Sequence, residues 1–107
     1  MIFIVTLTEI AEFDMYDIHT YIDLHESRKR ADSLLASISQ SILSLAHMPE
    51  RGHYPAELDK IRIREFREIH CKPYRIVYAI QGNEVVVHCV LDGRRDMQTL
   101  LQQRLLR

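Results

Sequence analysis

Six arginines carry the clearest chemical signal in the sequence: Arg62, Arg64, Arg67, Arg75, Arg94 and Arg95. A guanidinium presents its N–H donors in a planar fork and grips a carboxylate or a phosphate with two bonds at once. Arg62 and Arg64 read as solvent-facing, and Arg67 as paired with a local carboxylate. With Arg94 and Arg95 they also offer a basic surface to an anionic target. Arg75 is different. It interrupts the apolar run Tyr74-Arg75-Ile76-Val77-Tyr78-Ala79-Ile80, and a charge there needs a partner or a wet groove. Asp92 or Asp96 could supply a structural salt bridge. The other reading is a binding or catalytic arginine.

Histidine is the second source of chemistry. His88 lies inside the most apolar strand-like segment and could transfer a proton; a core or groove residue held by hydrogen bonds is the plainer reading. His88 and Cys89 are neighbours on a strand and are expected to face opposite sides. The six histidines, at 19, 25, 47, 53, 70 and 88, show no tight ligand spacing with cysteine or carboxylate, so neither a metal nor a cofactor is expected. Glu50, Glu57 and Asp59 enter acid–base chemistry only if His88 or an arginine faces them. Cys71 and Cys89 read as small buried apolar groups. No phosphate-binding loop, nucleophile elbow or zinc-finger spacing is present.

The elements that must position these groups follow from hydrophobic period. With 107 residues, 47% of them hydrophobic and 27% charged, the chain reads as one folded domain over residues 1–107, too small for separate binding and catalytic units. Two cysteines do not make a secreted disulfide scaffold, and no apolar run reaches the ~20 residues of a membrane span. A cytoplasmic location with no membrane partner is expected. The formal charge of −1 hides an asymmetry: residues 1–50 hold eight acids and three bases, residues 51–107 seven acids and eleven bases. That balance argues against a nonspecific nucleic-acid coat and leaves room for an anionic partner on one face.

Residues 2–7 suit a strand. Thr8 caps a helix with the stripe Ala11, Met15, Ile18 and Ile22, running to about Leu24. Ser27 caps a second helix, striped by Ala31, Leu34, Leu35, Ile38, Ile42 and Leu45 and closed by Pro49. Residues 50–59 read as a loop. From Ile61 the period becomes two, which predicts strand through Arg62, Arg64 and onward to Cys71. Residues 74–80 and 85–91 are strong strands joined at Gly82-Asn83, and a short helix from about Asp96 carries Leu100, Leu101 and Leu105. The predicted fold class is α+β: an N-terminal strand, an antiparallel helical hairpin packed on a mostly antiparallel twisted β-sheet, and a short C-terminal helix. With 85–91 central, the first strand is expected to pair with a different strand at an edge.

Thr8, Ala11, Asp14, Ile18 and Tyr21, the stretch from Leu45 to Gly52 with Pro49, Ile63-Arg64-Glu65-Phe66, Tyr74-Arg75-Ile76-Val77-Tyr78 and Val90-Leu91-Asp92-Gly93-Arg94-Arg95-Asp96 occur in an order that resembles the RelE/ParE superfamily of small toxins from bacterial toxin–antitoxin modules. The resemblance spans nearly the whole chain and implies the same fold. It implies one of two activities. RelE-like members cut messenger RNA in the ribosomal A site; ParE-like members poison DNA gyrase, block replication and are not nucleases. The basic strand residue of the ribonuclease branch corresponds to Arg75, and His88, one strand turn before the expected acid–base position, could substitute there only if the pocket were rearranged. The histidine or tyrosine expected after the last strand falls on Asp92 and Gly93, and a carboxylate there would repel a scissile phosphate. The ending Gly93-Arg94-Arg95-Asp96 looks like the ParE branch.

The resemblance therefore implies a plasmid-stabilisation type of toxin that inhibits gyrase and growth, with Arg62, Arg64, Arg75, Arg94 and Arg95 as target-binding candidates. It also implies a cognate antitoxin, docked on apolar surface for which Tyr16, Tyr21, Leu100, Leu101 and Leu105 are candidates. DNA would be met only through antitoxin or gyrase, since no helix reads as a recognition helix. The alternatives are a ribosome-dependent endoribonuclease and a non-toxic antitoxin-binding module.

Overall fold

A computed structural model describes residues 2–106. The chain runs β1 (Ile4–Leu7), α1 (Glu9–His25), α2 (Arg28–Ser44), a 3-10 turn (Pro49–Arg51), α3 (Ala56–Asp59), β2 (Arg67–Cys71), β3 (Tyr74–Gln81), β4 (Glu84–Asp92) and α4 (Met97–Leu105). Local side chains start each long helix. Thr8 Oγ1 accepts the Ala11 N–H at 3.1 Å, Ser27 Oγ accepts the Arg30 N–H at 3.1 Å, and an Asp96 carboxylate oxygen accepts the Thr99 N–H at 3.2 Å. Each satisfies one of the donors that a helix start leaves without an internal partner. α2 ends at Ser44, capped by Leu45, several residues before Pro49.

The sheet order is β1-β4-β3-β2. β2, β3 and β4 are antiparallel meander strands, and Gly82 takes φ +63° in the β3–β4 turn. β1 lies parallel to β4, with Ile4 opposite Glu84 and Leu7 opposite Val87. This corrects the expected edge pairing away from the 85–91 strand. A central strand has two edges, β3 occupies one, and the helical hairpin supplies the long crossover that a parallel pair on the other requires. Beyond Leu7 the ladder stops, and Asp14 from α1 takes over by accepting the Val90 N–H at 3.1 Å.

Alternation along the strands sends two apolar sets to opposite faces. Ile69, Tyr74, Ile76, Tyr78, Val85, Val87 and Val90 pack under Ala11, Ile38, Ile42 and Leu45 of the hairpin side. Val77, Ala79, Cys89 and Leu91 pack with Leu58 of α3, Phe66, and Met97 and Leu101 of α4. The Tyr78 hydroxyl ties the 49–52 segment down, donating to Pro49 O at 2.5 Å and accepting the Gly52 N–H at 3.1 Å. Only glycine fits at 52, because a Cβ there would lie 2.3 Å from that hydroxyl and 2.7 Å from Glu68 O.

Residues 61–66 are not strand, although Ile61-Arg62-Ile63-Arg64 alternates. They close α3 instead. Arg62 N–H donates to Asp59 O at 2.9 Å and Ile63 N–H to Leu58 O at 2.9 Å, with Arg62 at φ +64°. This is the paired bonding of a Schellman helix end, whose left-handed position normally holds glycine. The left-handed conformation costs an L-residue about 1–2 kcal/mol, while glycine loses roughly 0.5–1 kcal/mol of extra chain entropy. Arg62→Gly is therefore expected to stabilise the fold by about 0.5–1 kcal/mol. Urea unfolding of the two full-length chains checks this; an unchanged or lower midpoint would show that Arg62 is not strained.

Candidate functional site

Arg75 and Glu68 sit on the sheet face that carries α3 and α4, as diagonal neighbours two residues apart in the β2–β3 register, with Val77 opposite Glu68 and His70 opposite Arg75. Glu68 is only 3% exposed. Its Oε1 accepts from Arg75 Nε at 2.7 Å. Glu57, in the first turn of α3, accepts from both terminal nitrogens of Arg75, at 2.9 and 2.6 Å. The guanidinium thus holds one carboxylate bidentately and a second through Nε, with a side chain 13% exposed. These partners correct the expectation of Asp92 or Asp96. The Glu57 pair and the Glu68 pair raise the Arg75 pKa further above its already high value, so its charge is fixed. In return the Arg75 hydrogen bonds hold the Glu57 carboxyl below its ordinary value near 4.5.

A second pair of groups converges on the other oxygen of Glu68. His53 Nε2 lies 2.9 Å and His70 Nε2 3.2 Å from Glu68 Oε2. His70 shares a strand face with Glu68 by its two-residue spacing. His53 arrives from the segment between the 3-10 turn and α3, held against β2 by reciprocal backbone bonds with Glu68 of 3.1 and 2.7 Å. Sequence spacing concealed this cluster, which among the described residues is where three groups capable of holding a metal ion meet. An open groove of about 560 Å³ runs past His53, Glu57, His70, Arg75 and Arg94.

At the end of β4, Asp92 grips Arg94 through Nε at 3.0 Å and a terminal nitrogen at 2.7 Å. That bonding holds the Asp92 carboxyl below its usual range, so position 92 presents an anion. Gly93 is pressed against the arginine: a Cβ there would stand 2.9 Å from Arg75 Cδ and 3.0 Å from Pro73 O. His88 lies elsewhere, beside a groove lined by Arg64, Phe66, Arg67 and Ala79. Val77 pairs with Cys89 and Tyr78 with Val87, so His88 is the extra residue of a β-bulge. The bulge brings it edge-on to Phe66, 5.4 Å between centroids, on the side where Cys89 also packs. The two do not face opposite sides as plain alternation predicts. The His88 Nε2 is buried without a partner among the described residues, and burial lowers its pKa. Burial also pushes the Cys89 thiol up to about 12, leaving it unreactive.

Residues 5–97 match the sequence profile described as the ParE toxin of the type II toxin–antitoxin system parDE. The chain belongs to this family. No curated protein matches it in sequence. Solved structures that share its fold include the following three. A chain of the chromosomal ParDE toxin–antitoxin system from P. aeruginosa is 14% identical, with TM-score 0.69 over 83% of this chain and 94% of that one. A chain of the RelBE2 complex from Mycobacterium tuberculosis is 20% identical, with TM-score 0.58 over 84% and 96%. A mutant E. coli toxin RelE in the free state is 12% identical, with TM-score 0.67 over 100% and 98%.

The toxin distributes its candidate residues unevenly. Arg75 and Arg94 share one groove and Arg64 lines the other. Arg64 pairs with Asp59 at 2.6 Å, whereas Arg62 and Arg95 form no ion pair among the described residues. Arg67 donates to the Gly52 carbonyl at 2.9 Å and lies over the Tyr54 ring, not on a carboxylate. Tyr16 and Tyr21 are 66% and 59% exposed on α1. Sequence reasoning missed their neighbours Ile10, Phe13 and Leu24, which are exposed as well; their three-residue offsets from the tyrosines were the available signal. Leu101 is fully buried against the sheet, which corrects its reading as docking surface, while Leu100 and Leu105 are half-buried beside it. Among the described residues, no helix is long and apolar enough to cross a membrane.

Glu57 makes the ion cluster testable. Its folded-state pKa lies below its unfolded value, so its contribution to stability is present at neutral pH and disappears as pH falls through the folded pKa. Glu57→Gln is expected to lower stability at pH 7, and the gap from the parent should close as pH drops below about 4.5. Urea unfolding of both chains between pH 7 and 3 measures it. A gap that stays constant would show that the Glu57 charge contributes nothing.

Proposed function

We propose that this toxin inhibits DNA gyrase, blocks replication and is neutralised by a cognate antitoxin. The observation that carries the reading is the state of Arg75. All three of its nitrogens already donate to Glu57 and Glu68, so a scissile phosphate would have to compete with two carboxylates that already balance the guanidinium charge. The neighbouring geometry agrees. Gly93 has no room for an acid–base side chain, Asp92 is anionic, and His88 lines a different groove from Arg75. Ribonuclease catalysis needs a proton-transfer group and a cation converging on one phosphate, and that convergence finds no support here.

The target contacts we assign are the exposed bases. Arg62 and Arg95 are unpaired among the described residues, and the surface pairs of Arg64 and Arg94 are cheap to exchange for a target's carboxylates. Arg75 acts behind them as the residue that fixes the groove. For the antitoxin, Tyr16 and Tyr21 with Ile10, Phe13 and Leu24 make an exposed apolar strip along α1. A segment that folds on binding would cover it.

Purified gyrase with relaxed DNA tests this. The toxin should abolish supercoiling and accumulate broken DNA, and the Arg94→Ala/Arg95→Ala variant should lose at least about tenfold in potency (~1.4 kcal/mol) with an unchanged circular dichroism spectrum. Undisturbed supercoiling by folded toxin that still arrests growth would overturn the gyrase reading and direct attention to cleaved transcripts on ribosomes. Full potency of the double variant would remove these two arginines from the contact surface.

A further inference from the structure

The geometry points to a zinc site formed by His53 Nε2, His70 Nε2 and Glu68 Oε2 at the edge of the sheet, independent of whatever target the toxin has. The three donor atoms lie within 4.8 Å of one another. The two histidine-to-carboxylate separations are 2.9 and 3.2 Å. Tetrahedral zinc with bonds near 2.0–2.1 Å sets its ligand atoms roughly 3.3–3.4 Å apart, so small side-chain rotations suffice. The two imidazoles stand edge to face, 79° apart, which lets both Nε2 atoms aim at a common point from different directions.

The framework is rigid, because all three residues are anchored by backbone pairing. Glu68 and His70 belong to β2. His53 is bonded to Glu68 in both directions through the main chain. The support behind the ligands is also present. Arg75 Nε holds Glu68 Oε1, leaving Oε2 to act as a single-oxygen ligand and fixing the plane of the carboxylate. The charge balance suits a divalent cation. Glu57 neutralises Arg75, so the ligand cluster carries the one negative charge of Glu68. A ring that ligates through Nε2 carries its proton on Nδ1, and solvent carries the proton between the two nitrogens without any net change.

The donor set selects the metal. Two imidazoles and one carboxylate suit zinc and its borderline neighbours; a single protein oxygen is too few for calcium or magnesium, and no thiolate is present to favour copper(I). His53 and His70 are exposed, so water can complete the coordination. Bound zinc would staple the segment between the 3-10 turn and α3 to the edge strand.

The test uses untagged full-length toxin stripped of metal. Cobalt(II), which reports tetrahedral coordination by its visible d–d bands, is titrated first and then displaced with zinc. One cobalt per chain, displaced by one zinc, is expected. His53→Ala and His70→Ala should each weaken binding by more than about tenfold, since even outer-shell changes cost ~10–100-fold. His19→Ala, which alters a separate histidine–aspartate pair, should bind like the parent. Both ligand positions are exposed, and circular dichroism checks that each variant is folded; either one suffices. No saturable binding, or binding that survives both ligand substitutions, would overturn the site.

Discussion

A carboxylate removed from water must be surrounded by donors, and in this toxin that requirement organises one whole end of the sheet. Glu68 is nearly inaccessible, yet both of its oxygens are engaged: Arg75 on one, two imidazoles on the other. Breaking a buried pair by deleting one partner typically costs about 3–5 kcal/mol, so each neighbour is held in place by the same demand. The demand propagates outward. Arg75 has capacity left after bonding Glu68, and Glu57 fills it, which docks α3. His53 must stay close, which orders the chain between Gly52 and α3. The Tyr78 hydroxyl holds the preceding residues from the other side of the sheet, so that connection is fixed at both ends without any strand of its own.

The second buried acid does the corresponding work at the opposite side of β4. Asp14 caps the Val90 N–H where β1 ends, and Arg104 of α4 closes on it with bonds of 3.0 and 2.7 Å. α1 and α4 cover different faces of the sheet, so this ion pair reaches around the open edge of β4 and joins the two layers. Both buried acids therefore sit where regular hydrogen bonding runs out. Hydrophobic contact supplies most of the driving force for the layers, but it does not specify how a short terminal helix is oriented. The directional bonds to Asp14 do.

Which parts of this were legible in the sequence follows from the range of the interactions. The caps at Thr8 and Ser27 and the stripes of α1 and α2 act over three or four residues, and they appear as read. The strands over 74–80 and 85–91 and the turn at Gly82 were equally local. The errors lie where something other than hydrophobic period decides. Ile61-Arg62-Ile63-Arg64 alternates like a strand, but the carbonyls of Leu58 and Asp59 claim its amides. The partners of Arg75 are 7 and 18 residues away in sequence, whereas the acids guessed from the sequence, Asp92 and Asp96, answer to Arg94 and to a helix start. His53 joins His70 only through a backbone bridge that no periodicity announces. His88 was misplaced because a bulge adds one residue to β4 and resets the alternation.

The same logic bears on how one fold serves different chemistry. Structures sharing only 12–20% of this sequence retain its course, so strand order and apolar layers suffice to define the scaffold, and activity must reside in what the strand ends display. Here Arg75 and Gly93 have to be considered together. The guanidinium packs its methylenes where a side chain at 93 would stand, and its nitrogens face Glu57 and Glu68 rather than the groove's open side. Restoring a proton-transfer group at 93 would displace Arg75, which would strip Glu68 of its strongest partner and leave a buried charge exposed to the full cost of desolvation. A basic residue kept in its strand position is thus no evidence of kept chemistry. The end of β4 instead exposes Arg94 and Arg95, which Asp92 holds through the Arg94 guanidinium and its own carbonyl, on a carboxylate separate from those that engage Arg75.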